Sequence, residues 1–167
     1  MGLAGKVNRH RQHPRRHNNF RAQVCVGLTE LWQLLEKGEA PEGAEVGAPH
    51  MTEWMVINES PSGYAVMHVA GEVEGLVPGS AIALRPAPDR PWSIRIVRWM
   101  KSENQEHIEL GLELVAPAAR SVQLMFRNGD PGQLPTPGLL LPAVPALREH
   151  PALLAPSGAY SARRFFI

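Results

Sequence analysis

Cysteine occurs once, aromatic residues make up 6% of the chain, and no carboxylate precedes Glu30. The single Cys25 excludes an internal disulfide framework and a zinc site built on several cysteines. No apolar run approaches the roughly 20 residues that a membrane-spanning helix needs. The N-terminal charges are not followed by an apolar stretch, so no secretory leader is expected, and the chain reads as cytoplasmic. Few aromatics leave little for the stacking platforms on which single-strand-binding barrels rely, so nucleic acid ranks last among the partners weighed. Catalytic groupings are also missing. Ser60 has no evident His and Asp pair to activate it, the carboxylates are scattered, and no Gly-rich loop opens a helix. His10, His13 and His17 have helical spacing, but Pro14 interrupts it and the neighbouring arginines would repel a cation. Neither an enzyme, nor a metal site, nor a prosthetic group is expected.

The absence of early acid exposes an asymmetry that a net charge of +1 conceals. Residues 1–29 carry Lys6, Arg9, Arg11, Arg15, Arg16 and Arg21 and no carboxylate, which leaves the remainder at −5. A basic arm on a mildly acidic body points to an anionic partner for the arm. With 167 residues, 44% hydrophobic and 20% charged, the chain suits one globular domain, or one domain with an appendage.

Along the chain, residues 1–17 lack large apolar side chains and read as a flexible arm. RAQVCVG, 21–27, alternates as a first strand. Cys25 lies between valines and is expected to be a small buried residue rather than a reactive thiolate. In LTELWQLLEKG, Leu28, Leu31, Trp32 and Leu35 fall on one helical face; Thr29 is the candidate cap and Gly38 the candidate stop. Trp32 and Leu35 are expected in the core. After a Gly- and Pro-rich loop the pattern turns to period two. EWMVIN and YAVMHVA flank the turn ESPSG, VPGS leads into AIALRP, and WSIRIVRWM and HIELGLELVA follow. In the fifth run Trp92, Ile94, Ile96 and Arg98 are expected on one face, and Val97 with Trp99 on the other, with Trp92 and Trp99 in the core. Short strands at this spacing suggest a small antiparallel barrel. APAARSVQLMFRN fits either a strand or a short helix. From Gly129 prolines recur, and the apolar clusters LLLP and ALLAP suggest an extended segment lying along the barrel. The expected division is an arm over 1–17, a barrel over 18–127 with a helical insert at about 28–37, and a Pro-rich extension over 128–167 that would suit part of a longer protein.

Two short stretches carry binding chemistry. RQHPR sets Arg11 and Arg15 four residues apart just before the first strand. Arginine offers a planar fork of donors for phosphate and a flat cation for stacking on a base. In NESPSG, Asn58 ends a strand and offers an amide donor and acceptor, Ser60 can bond the turn backbone, and Gly63 permits tight geometry or close ligand approach.

At these two stretches the chain resembles the PilZ domain family, bacterial receptors for cyclic di-GMP with the patterns RxxxR and [D/N]xSxxG. The likeness continues through SGYAVMH, VPGSAIALR, WSIRIVRWM and IELGLELV, from about Arg11 to Val115. It implies a mainly β fold, a six-stranded antiparallel barrel. It implies a receptor in which Arg11 and Arg15 contact phosphate and guanine, Asn58 and Ser60 bond one guanine, and Gly63 shapes the turn. Arg16 stands in for the further arginine that the family often carries beside RxxxR. Ligand capture would order the arm and signal to a protein partner, whose identity the sequence does not carry. The competing reading is a PilZ-shaped interaction module that has lost the nucleotide. Salt-insensitive binding lost in Arg15→Ala would separate the receptor from a nucleic-acid binder.

Overall fold

The computed structural model describes residues 19–37, 49–104, 106–126, 132, 134–157 and 165–166. The arm, with Arg11, Arg15, Arg16 and the three histidines, and the candidate helix stop Gly38 lie outside the described residues.

Six strands close into a barrel: β1 (Phe20–Val26), β2 (Met51–Ser60), β3 (Gly63–Ala70), β4 (Ala81–Arg85), β5 (Ser93–Ser102) and β6 (Ile108–Ala116). Around the wall the order is β1-β2-β3-β6-β5-β4, and every neighbouring pair is antiparallel. Closure leaves no open strand edge in this sheet. The sequence-predicted barrel is therefore present, with six strands. Alternation along each strand sends one set of residues inward, where Val24, Trp54, Val56, Val66, Ile82, Leu84, Val97, Leu110 and Leu112 form the barrel core. The fully buried Trp54 indole donates to Thr52 Oγ1 at 2.8 Å, which satisfies its N–H inside the core.

A second core lies on the outside of the barrel. Helix α1 (Leu28–Lys37) buries Leu31 and Leu34 there against Cys25, Ala83, Ile94 and Ala116. The helical face is wider than the expected one: Leu34 is buried, whereas Leu28, Trp32 and Leu35 pack at its margin. Gly27, at φ 92°, supplies the carbonyl that accepts the first helical hydrogen bond from Leu31 N–H at 2.9 Å. The cap is therefore Gly27; Thr29 lies inside the first turn. Cys25 is fully buried, as its flanking valines suggest, and burial pushes its thiol up to about 12.

The undecided stretch after the barrel is a strand, β7 (Arg120–Phe126). It joins β8 (Thr136–Leu141), β9 (Ala152–Leu154) and β10 (Phe165–Phe166) in a second antiparallel sheet of order β10-β7-β8-β9. The Pro-rich tail thus does not simply lie extended along the barrel: it pairs with β7, a stretch expected within the barrel, in a separate sheet. Its Leu139 and Leu141 complete the core under α1, and Trp32 Nε1–H donates to the Val122 carbonyl at 2.8 Å, tying helix to sheet.

Candidate functional site

The barrel wall has four irregularities in register. β2 carries one extra residue, Ile57, opposite β3; β5 carries one, Arg98, opposite β6; β6 carries one, Val115, opposite β5; and β3 carries one, Val69, opposite β2 at the far end from the cleft. Such bulges flip the side chains that follow to the other face. Because of the first, Asn58 pairs with Ala65 and Ser60 with Gly63 on the outer wall, while Glu59 pairs with the inward-facing Tyr64. Because of the second, Val97 stays in the barrel core and Trp99 turns outward, 40% exposed. This corrects the expectation that Val97 and Trp99 share a face and that Trp99 is core. Trp92 is buried in the outer core.

The register then sets two rows of outward residues side by side across four strands. One runs Asn58, Ala65, Gly111, Trp99; the next runs Ser60, Gly63, Glu113, Ile96. The floor is made of Gly63, Ala65 and Gly111, residues too small to fill it. Both glycines are needed for close approach. A Cβ on Gly63 would collide with the Leu112 carbonyl oxygen, and one on Gly111 would collide with the Trp99 indole. Gly63 has no left-handed φ, so its role is this approach and not a turn conformation. The turn itself is Pro61 and Ser62 alone, because β2 runs through Ser60 and Asn58 lies within the strand.

The result is a shallow cleft of about 170 Å³ lined by Asn58, Ser60, Gly63, Arg98, Trp99 and Glu113 among others. Ser60 Oγ donates to the Gly63 carbonyl at 3.2 Å and lies 3.2 Å from Ser62 Oγ. Leu114 N–H donates to the Ser62 carbonyl at 2.9 Å, which fixes the turn to β6. At the opposite rim Arg98 Nε donates to Glu113 Oε2 at 2.5 Å. That hydrogen bond and the guanidinium charge hold the Glu113 carboxyl below its ordinary range.

Behind the wall, the Arg95 guanidinium lies 3.8 Å from the centre of the Tyr64 ring, and Phe20 meets that ring edge-on with centroids 6.1 Å apart. Burial lowers the Arg95 pKa, and the neighbouring Tyr64 and Glu59 oppose the shift; an arginine here remains charged. Phe20, the first residue of β1, therefore starts the barrel directly behind the Gly63–Tyr64 corner. A larger cleft, about 460 Å³, opens beside Arg21, Gln23, Thr52 and Arg85 and holds no residue of NESPSG.

Sequence reasoning singled out Asn58, Ser60 and Gly63 as candidates, and the structure brings the three together on one wall. It missed Arg98, Trp99 and Glu113. Their signal was the pair of glycines, Gly63 and Gly111, at strand positions where only close approach explains a missing side chain.

A closed six-stranded antiparallel barrel that carries a polar and aromatic cleft on its outer wall is the architecture of a PilZ domain. The chain belongs to the family described as "Cyclic-di-GMP receptor FimW, middle PilZ domain", whose pattern matches residues 33–121. That span takes in the whole cleft and excludes Arg11, Arg15 and Arg16. The chain is also 29% identical over 102 residues to the cyclic-di-GMP receptor FimW of Pseudomonas aeruginosa. The match covers 60% of this chain and 17% of the relative's length. No solved structure matches the chain. Among the described residues no helix is long and apolar enough to cross a membrane, and no cluster of His, Cys, Asp or Glu could hold a metal.

Proposed function

We propose that this chain is a cyclic di-GMP receptor domain that binds the nucleotide across the cleft between β2 and β5. Asn58 and Ser60 offer hydrogen bonds to one guanine, Gly63 leaves room for it, and Trp99 offers a π-face for stacking. Arg11 and Arg15, with Arg16 beside them, grip the phosphates from the arm. The observation that carries this reading is the row Asn58–Ala65–Gly111–Trp99, which sets a polar amide at one end of a floor of small residues and a half-exposed indole, lying over Gly111, at the other. The family match supports it.

Size and reach support the arm's part. A cleft of about 170 Å³ is below the ~300–1,000 Å³ of pockets that enclose a small molecule, so a second element must cover the ligand. Arg15 is five residues before Phe20, a reach of at most about 18 Å, and Phe20 sits behind the corner that Gly63 occupies. Covering the ligand orders the arm, and the ordered arm is the signal offered to a partner protein.

Titration calorimetry with cyclic di-GMP, with GTP as control and Arg15→Ala alongside, tests the reading. Saturable binding that is lost in Arg15→Ala is the expected result. Absence of heat and of thermal stabilisation at about 100 μM ligand overturns it, and leaves a barrel that serves as an interaction module.

A further inference from the structure

A carboxylate in a cleft for a phosphodiester ligand calls for a reason. Glu113 stands on the outer face of β6, two residues from Gly111 and paired across the strands with Gly63. It is therefore about 7 Å along the strand from the glycine under the Trp99 indole. Its side chain is 46% exposed and opens to the cleft. Arg98 Nε holds one carboxylate oxygen, Oε2, at 2.5 Å. The group is ionised at neutral pH, so it accepts hydrogen bonds only, whereas Arg98 donates only.

We propose that Glu113, oriented by Arg98, is the residue that selects guanine in this cleft; this rests on the cyclic di-GMP reading above. Guanine presents an acceptor, O6, beside two N–H donors, at N1 and at the 2-amino group. A carboxylate takes both donors and a neighbouring guanidinium serves O6. Adenine presents a lone pair at N1 and has no 2-amino group, so the same carboxylate would face an acceptor and be left desolvated and unpaired. With a purine stacked on Trp99, the Glu113–Arg98 pair is the donor and acceptor array on that side of the floor. Asn58 and Ser60 occupy the opposite side. Neutralising Arg98 alone would not need a carboxylate inside the cleft, because Arg98 is exposed to water.

The test uses the full chain and three probes: cyclic di-GMP, its hypoxanthine analogue cyclic di-IMP, which lacks only the 2-amino groups, and cyclic di-AMP. Wild type is expected to bind cyclic di-GMP about 10-fold or more tighter than cyclic di-IMP, and to prefer it over cyclic di-AMP by at least about 100-fold. In Glu113→Gln, cyclic di-GMP is expected to weaken about 10-fold or more and cyclic di-IMP, which keeps the N1–H donor and loses one bond to the carboxylate instead of two, by less, so that the preference narrows. Two outcomes overturn the inference. Equal wild-type affinity for cyclic di-GMP and cyclic di-IMP is one, and it involves no variant. The other is a Glu113→Gln protein, folded by its thermal transition, that binds cyclic di-GMP as tightly or more tightly with the preference intact. Both leave the receptor reading standing. A wild type that binds no cyclic di-GMP overturns both readings, which keeps the two failures distinct.

Discussion

Gly63 and Gly111 occupy equivalent positions on the cleft floor, yet a methyl group at each meets a different obstacle. At Gly63 it meets the Leu112 carbonyl, which is backbone in a paired strand and cannot yield without parting β3 from β6. At Gly111 it meets the Trp99 indole, a half-exposed side chain that can swing away. Gly63→Ala is therefore expected to lose about 1–3 kcal/mol in urea unfolding. Gly111→Ala should lose much less, while its tryptophan emission shifts to the red and iodide quenching rises as the indole leaves the wall. Equal urea midpoints for Gly63→Ala and wild type would contradict the close approach of β3 and β6. The residue type at 63 was legible in the sequence, but its reason was not. The motif suggested a turn conformation, and only strand pairing reveals a carbonyl pressed against the α-carbon.

At the scale of elements, the period-two pattern gave the barrel strands their places, because one face of each is buried and alternation follows from that. Bulges escape such a pattern. Ile57 and Arg98 each add a residue without disturbing local propensity, and every side chain after them changes face. Trp99 was misplaced for this reason alone. Arg120–Phe126 was ambiguous because its apolar positions suit either period, and its pairing with Thr136–Leu141 decides the matter. The helix was legible as an element, but its buried face was drawn one residue too narrow. Leu31 and Leu34 are the side chains that join barrel, helix and second sheet. Leu31→Ala is expected to cost about 2–5 kcal/mol and to lower the thermal transition of the whole chain in one step. A separate early transition would mean instead that the second sheet melts on its own.

Over the whole molecule, charge divides sharply along the sequence. Residues 1–18 hold five cations and no acid, so the remaining 149 residues of this +1 chain sum to −4. An anionic body does not draw in a ligand bearing two phosphates; the arm must supply the attraction. Lys6 and Arg9 lie outside RxxxR, so they are free to act through the field alone, whereas Arg11 and Arg15 are proposed to touch the ligand. Long-range attraction speeds encounter and leaves dissociation nearly unchanged, whereas direct contacts govern dissociation. Stopped-flow association of a fluorescent cyclic di-GMP should therefore slow several-fold in the double variant Lys6→Gln/Arg9→Gln at low salt, with the dissociation rate preserved. Raising ionic strength to about 0.2 M shortens the Debye length to under 10 Å, and the difference between variant and wild type should then largely vanish; a several-fold change of this kind is shallow beside the salt dependence of a nucleic-acid binder. An effect of the double variant on dissociation, persisting at high salt, would place Lys6 and Arg9 in contact with the ligand and extend the binding arm beyond the motif.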